Sequence, residues 1–223
     1  MTTVHPHSAR RRVAGALLMA GPIVLLLTEF IAAAAHTDPP YSYTRNFISN
    51  LGVQGPSTLF GQYMASPLYW LMNAGFVLFG IIILAGIAVL PGLGGWRRWA
   101  VLAPATAMAV GGVLLGLFPG SGEALADGTG EFHSSGAFAG FLGANILAIV
   151  LGRMGDRVGL GRGMRRALVI VGIIGIVSTV LYFVLLINGG ETIGIIGLIE
   201  RGATHPFLVA MLVAGVKTVR SPA

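Results

Sequence analysis

Six apolar runs, at about residues 13–35, 67–90, 99–118, 132–151, 167–187 and 197–216, alternate along the chain with short polar segments. Each is close to the ~20 residues that carry a helix across a ~30 Å hydrocarbon layer. The runs are apolar on every side, whereas barrel strands alternate inward and outward over about ten residues. The pattern therefore predicts an all-α integral membrane protein, a bundle of six transmembrane helices. One membrane domain over residues 13–217 follows, flanked by a basic tail at 1–12 and a short tail at 218–223. Gly112 with Gly116, Gly136 with Gly140, and Gly172 near Ser178 supply small residues for close helix contacts.

One polar segment breaks the pattern in a way that calls for an explanation. The stretch YSYTRNFISNLG, residues 41–52, lies between the first two runs. Ser42 is suited to cap a short helix and Gly52 to end it. At helical spacing Tyr43, Phe47, Ile48 and Leu51 share one face, while Arg45, Asn46, Ser49 and Asn50 share the other. This predicts a short interfacial helix in the first outward loop. It reads as a lid that seals the bundle and anchors the loop and, without conflict, as a site where Arg45, Asn46 and Asn50 face the polar layer and hold an anionic group such as a lipid phosphate.

Charge then sets an orientation. Only 10% of the residues are charged, with 14 Lys and Arg against 8 Asp and Glu. Twelve of the 14 basic residues fall before run one, between runs two and three, between runs four and five, or after run six, which leaves only Arg45 and Arg201 on the opposite side. The positive-inside rule places both termini in the cytoplasm. The same clustering explains the net charge of +6 as topology and anionic-lipid contact, with no aromatic-basic interleaving to suggest nucleic acid. Without cysteine there is no disulfide and no thiolate metal site. The start resembles a secretory signal, RRR followed by an apolar run and AAAA, but that run is too long and carries Glu29, so a retained helix is expected.

Counting depth at ~1.5 Å per residue places Glu29, Glu200, Arg201, His205 and His133 in one outer-leaflet layer, with Asn73 near it. The midplane holds only Asn145, Ser178 and Thr179. That weakens a proton-coupled or ion-coupled carrier, whose ionisable groups are expected near mid-depth. Glu200 and Arg201 are read as neutralised structurally, by Glu29 with Arg201 or by Arg45 with Glu200, or else as part of a ligand site. His133, His205 and Glu131, with His36 and Asp38 nearby, are weak candidates for a zinc site, weak because no two ligands are held on one helix face. Ser134, Ser135 and Ser49 beside His133 raise a nucleophile reading that lacks a visible oxyanion hole. Glu123, Asp127 and Glu131 read as a solvated acidic loop.

The motifs YSYTRNFISNLG, LFPGSGE through EFHSSGAFAGF, and GLIERGATHPFLVAML, in this order, resemble a multi-span prokaryotic membrane family catalogued as domain of unknown function 998. The resemblance implies a six-helix protein of the prokaryotic plasma membrane and no settled activity. Three function classes stay open: a polar site binding a lipid headgroup, a membrane-embedded metal-dependent lipid hydrolase, and a small-molecule or lipid carrier. No cofactor is expected, and the expected partners are membrane lipids, anionic ones among them.

Overall fold

Each apolar run forms a helix, and five of these six helices are longer than the run while the second is shorter. The computed structural model describes residues 6–189 and 193–220. In chain order the helices are α1 (Pro6–Ala34), α2 (Tyr69–Val89), α3 (Trp96–Leu117), a short α4 (Gly122–Asp127), α5 (Gly130–Met154), α6 (Arg162–Ile187) and α7 (Ile196–Arg220). Six of them are long and apolar enough to cross a membrane. Where a helix overruns its apolar stretch, as at both ends of α5 and at the starts of α1 and α6, it does so because a helix satisfies its own backbone in lipid and interface alike. Both predicted tails are therefore partly helical, and their ends at 1–5 and 221–223 lie outside the described residues.

The six long helices form a ring in chain order, each packed against the next, and α7 closes it against α1. Glycines set the spacing. A Cβ at Gly112 or Gly116 would strike the backbone carbonyls of Phe76 or Asn73 on α2, and one at Gly15 or Gly215 would obstruct the α1–α7 seam. With neighbouring axes ~8–10 Å apart, a regular ring of six leaves a central hole about one helix wide. Asn145 on α5 narrows it at mid-depth: its Nδ2 donates to the carbonyls of Phe141 at 2.8 Å and of Ala203 on α7 at 2.9 Å. Gly175 on α6 accommodates the same side chain, leaving no room for a Cβ. Above this constriction the hole stays partly open.

The two ends of the ring differ. At the end holding both termini, arginines cap helix carbonyls that have no partner within their own helix. Arg98 donates to the Leu90 carbonyl at 2.9 Å and to that of Ala88, and Arg165 reaches the Gly152 carbonyl at 3.3 Å. At the other end the first loop folds over the ring. It contains a 3₁₀ turn, Ile48–Gly52, and a hairpin of β1 (Ser57–Leu59) and β2 (Gln62–Met64), paired antiparallel with Ser57 opposite Met64.

The interfacial helix is thus shorter than the expected 42–52, and side chains explain why. Asn46 Oδ1 accepts from the Ser42 amide at 2.8 Å, and Gln62 Oε1 accepts from the Phe47 amide at 3.2 Å. Amide groups spent on side chains in this way do not build helix. Burial follows the apolar face at Phe47, Ile48 and Leu51 but not at Tyr43, which is 38% exposed, and Asn50 is buried with them. The acidic loop is also more ordered than expected. Ser121 caps α4 by accepting from the Ala124 amide at 3.1 Å, and Ser57 of β1 donates to Glu123 at 2.7 Å.

Candidate functional site: a closed arginine clamp beside an open carboxylate

Glu29 sits nearly two turns from the end of α1, and Arg201 lies in the second turn of α7. Both side chains are buried, and they meet across the seam that closes the ring. Arg201 Nε and Nη2 donate to Glu29 Oε1 at 3.0 and 2.9 Å. Nη1 is shared among the carbonyls of Tyr43, Asn46 and Gly197 at 2.7, 3.0 and 3.0 Å. Nη2 also reaches the Tyr41 hydroxyl at 2.5 Å. A guanidinium has five N–H donors, and all five are engaged.

Two tyrosine rings complete this enclosure. The guanidinium carbon lies 5.5 Å from the Tyr41 ring centroid and 5.0 Å from that of Tyr43, within cation–π range. Burial pushes the Tyr41 hydroxyl well above the usual phenol range, despite the opposing effect of Arg201. It therefore remains a donor, and it donates to the Phe47 carbonyl at 2.9 Å. His205 Nε2 lies 3.1 Å from Glu29 Oε2, at ion-pair distance but off the line of a hydrogen bond, so Oε2 has no hydrogen-bond donor. The cluster is a packed network, with no donor of Arg201 left for a ligand.

Glu200 precedes Arg201 and points elsewhere, because successive helix residues are turned by about 100°. It is 4% exposed, and its Oε2 accepts from the Ile48 amide at 2.6 Å. Of the two expected pairings, Glu29 with Arg201 is present and Arg45 with Glu200 is not. Arg45 is exposed, and its carbonyl accepts from Gln62 Nε2 at 2.9 Å. Asn46 and Asn50 are drawn to Gln62 Oε1, at 3.4 and 2.6 Å. The expected trio of Arg45, Asn46 and Asn50 is thus replaced by a knot around Gln62, with the arginine outside it.

Glu200 lines a cavity of about 120 Å³ in the centre of the ring. Its walls are mostly apolar and aromatic, with Phe76, Phe79, Phe141, Tyr182 and Phe207 among them. Polar groups from Ser49, Asn50, Ser121, His133, Ser134 and Thr204 are spaced around it. His133 Nδ1 lies 2.8 Å from the Phe118 carbonyl. Since a carbonyl only accepts, Nδ1 carries the proton and Nε2 is left as an acceptor.

The weak metal candidates are not brought together. His205 is held at Glu29, His133 at Phe118, and Glu131 is exposed at the start of α5. His36 turns its Nδ1 to the Pro39 carbonyl at 2.7 Å, and Asp38 is exposed. Among the described residues no three His, Asp or Glu side chains are grouped to hold a metal ion. Gln62, Tyr41 and Tyr182 were not singled out from the sequence. Gln62 lies at a hairpin with no periodic signal, and nothing in the spacing of Tyr41 or Tyr182 links them to the charged residues.

No curated protein and no solved structure gives a match to the chain. A family model does, over residues 8–217, and it spans all six membrane helices. The chain, with its six candidate membrane spans, therefore belongs to the family described as "Protein of unknown function (DUF998)".

Proposed function

We propose that the protein resides in a prokaryotic plasma membrane with both termini cytoplasmic and holds the apolar part of a lipid-like amphiphile in the centre of its ring. The observation that carries this reading is the cavity itself. Apolar cavities in protein interiors of ~150 Å³ accept a benzene-sized guest, so a space of about 120 Å³ suits one ring or a short alkyl segment. Polar groups beneath the loop, from Ser49, Asn50 and Ser121, offer partners for a head of the same molecule. Binding is the reading that the mostly apolar and aromatic wall supports.

Orientation in this reading rests on the twelve basic residues at the end holding the termini, and on Trp96 and Trp99, exposed there as interface anchors. Partners are membrane lipids. Arg153, Arg162, Arg165 and Arg166 surround an open groove between α5 and α6, above Val169 and Ile170, and this supports contact with anionic headgroups at that end.

Gly140 provides the test, since it lines the cavity and a Cβ built there meets nothing within 4 Å. Gently extracted wild-type protein is expected to carry a lipid-mass adduct in native mass spectrometry. Gly140→Leu should lose the adduct while unfolding at a temperature within a few degrees of wild type. A wild-type protein free of any adduct, or a variant that keeps it, would count against the reading.

A further inference from the structure

The cavity contains a feature that a simple lipid-chain pocket does not need. Glu200 Oε2 is held by the Ile48 amide, but Oε1 has no hydrogen-bond partner among the described residues. No Lys, Arg or His among the described residues forms a salt bridge with it, although the neighbouring Arg201 lies near enough to act on its charge. Arg201 is spent on Glu29 and loop carbonyls, and His205 also lies against Glu29. Tyr182 and Thr204 also line the cavity, and Tyr182, Tyr41 and Glu29 lie near enough to Glu200 for electrostatic contact. An ionised carboxylate in apolar surroundings is costly unless it is paired.

We infer that the occupant of the cavity is a lipophilic organic cation, an amphiphilic amine whose ammonium group pairs with Glu200 Oε1 while its apolar part lies among the aromatic side chains. This rests on the cavity-binding reading above. The wall fits the cation as well as the carboxylate does. Phe47 and Tyr182 meet edge to face with centroids 5.7 Å apart, and Phe141 and Tyr182 do so at 5.9 Å, so ring faces and edges are presented at several angles around one site. Ring faces attract ammonium groups, most strongly where water is excluded. A hard metal ion fits poorly, because calcium sites gather several carboxylates and carbonyls and Glu200 is the one carboxylate among the residues lining this wall.

The test compares two probes of nearly equal shape, phenethylamine and 2-phenylethanol, titrated calorimetrically at pH 7 into the detergent-solubilised full chain. The amine is expected to bind at least about tenfold more tightly, as for a charge-assisted hydrogen bond. Glu200→Gln should abolish that advantage and leave the affinity for the alcohol within about twofold, which also reports that the variant is folded. Gly140→Leu should weaken both probes and so locate them in the cavity, even if Glu200→Gln does not fold. Equal affinities in the wild type, or an amine preference that survives in Glu200→Gln or Gly140→Leu, would overturn the cation assignment while leaving an apolar site. If neither probe binds the wild type, the cavity-binding reading itself fails and the inference falls with it.

Discussion

Glu200 and Arg201 are adjacent in the chain, share one helical turn, and sit in opposite surroundings. Arg201 faces the α1–α7 seam, where every donor is engaged and two tyrosine rings cover the guanidinium. Glu200 faces the interior of the ring, where one oxygen is held and the other borders an apolar space. Both are ionisable groups at membrane depth, which tempts a reader to assign them one role. The difference teaches that burial alone does not mark function; what matters is whether the hydrogen-bonding capacity of the group is already used. Arg201 is bracing, and Glu200 is the side chain with something left to give.

The largest effect should come from breaking the brace. Arg201→Gln strands Glu29 as a buried carboxylate and leaves loop carbonyls without their donor, a loss of about 3–5 kcal/mol for a buried pair. The expected outcome is a sharp drop in monodisperse yield and thermal stability in detergent. Glu29→Gln combined with Arg201→Gln should recover part of the loss, because no charge is then left alone. Full stability in the single variant would mean that the seam does not depend on this pair.

Glu200→Gln should do much less to the fold. The amide oxygen can still accept from Ile48, so thermal stability is expected to change by no more than ~1 kcal/mol, in either direction. A loss as large as that of Arg201→Gln would erase the distinction between the neighbours and make Glu200 a second brace.

The smallest effect concerns a third carboxylate, Glu123, which is exposed and belongs to the same end of the molecule. Its hydrogen bond from Ser57 holds it below its ordinary value of 4.5. A depressed value in the folded state contributes stability that is present above the unfolded value and is lost as pH falls through the folded one. Protection of the β1 amides, taken relative to their intrinsic exchange rate at each pH, should therefore fall on acidification below about pH 4.5, and Ser57→Ala should remove that component. An unchanged acid response in Ser57→Ala would show that the hairpin is held to α4 by other contacts.

The resemblance carried by three ordered motifs and the match over residues 8–217 name the same family, and six spans were readable because bilayer thickness imposes a length on every apolar run. Glu29 and Arg201 were also visible as costly charges in one layer, for depth along a helix is set by its rise per residue. The fate of Arg45 was not visible. A helical repeat places it beside Asn46 and Asn50, but Gln62, twelve residues beyond Asn50, captures both asparagines and leaves the arginine outside.

The central cavity is the clearest thing that only tertiary structure decided. Sequence alone determined a membrane protein with six helices and a charged layer at one end, because hydrophobic length and charge are local properties of the chain. It could not determine that the helices would close in a ring, that Asn145 would narrow that ring at mid-depth, or that residues 200 and 201 would face different spaces. Those outcomes depend on which helix lies beside which, and on side-chain contacts between residues as far apart as Glu29 and Arg201.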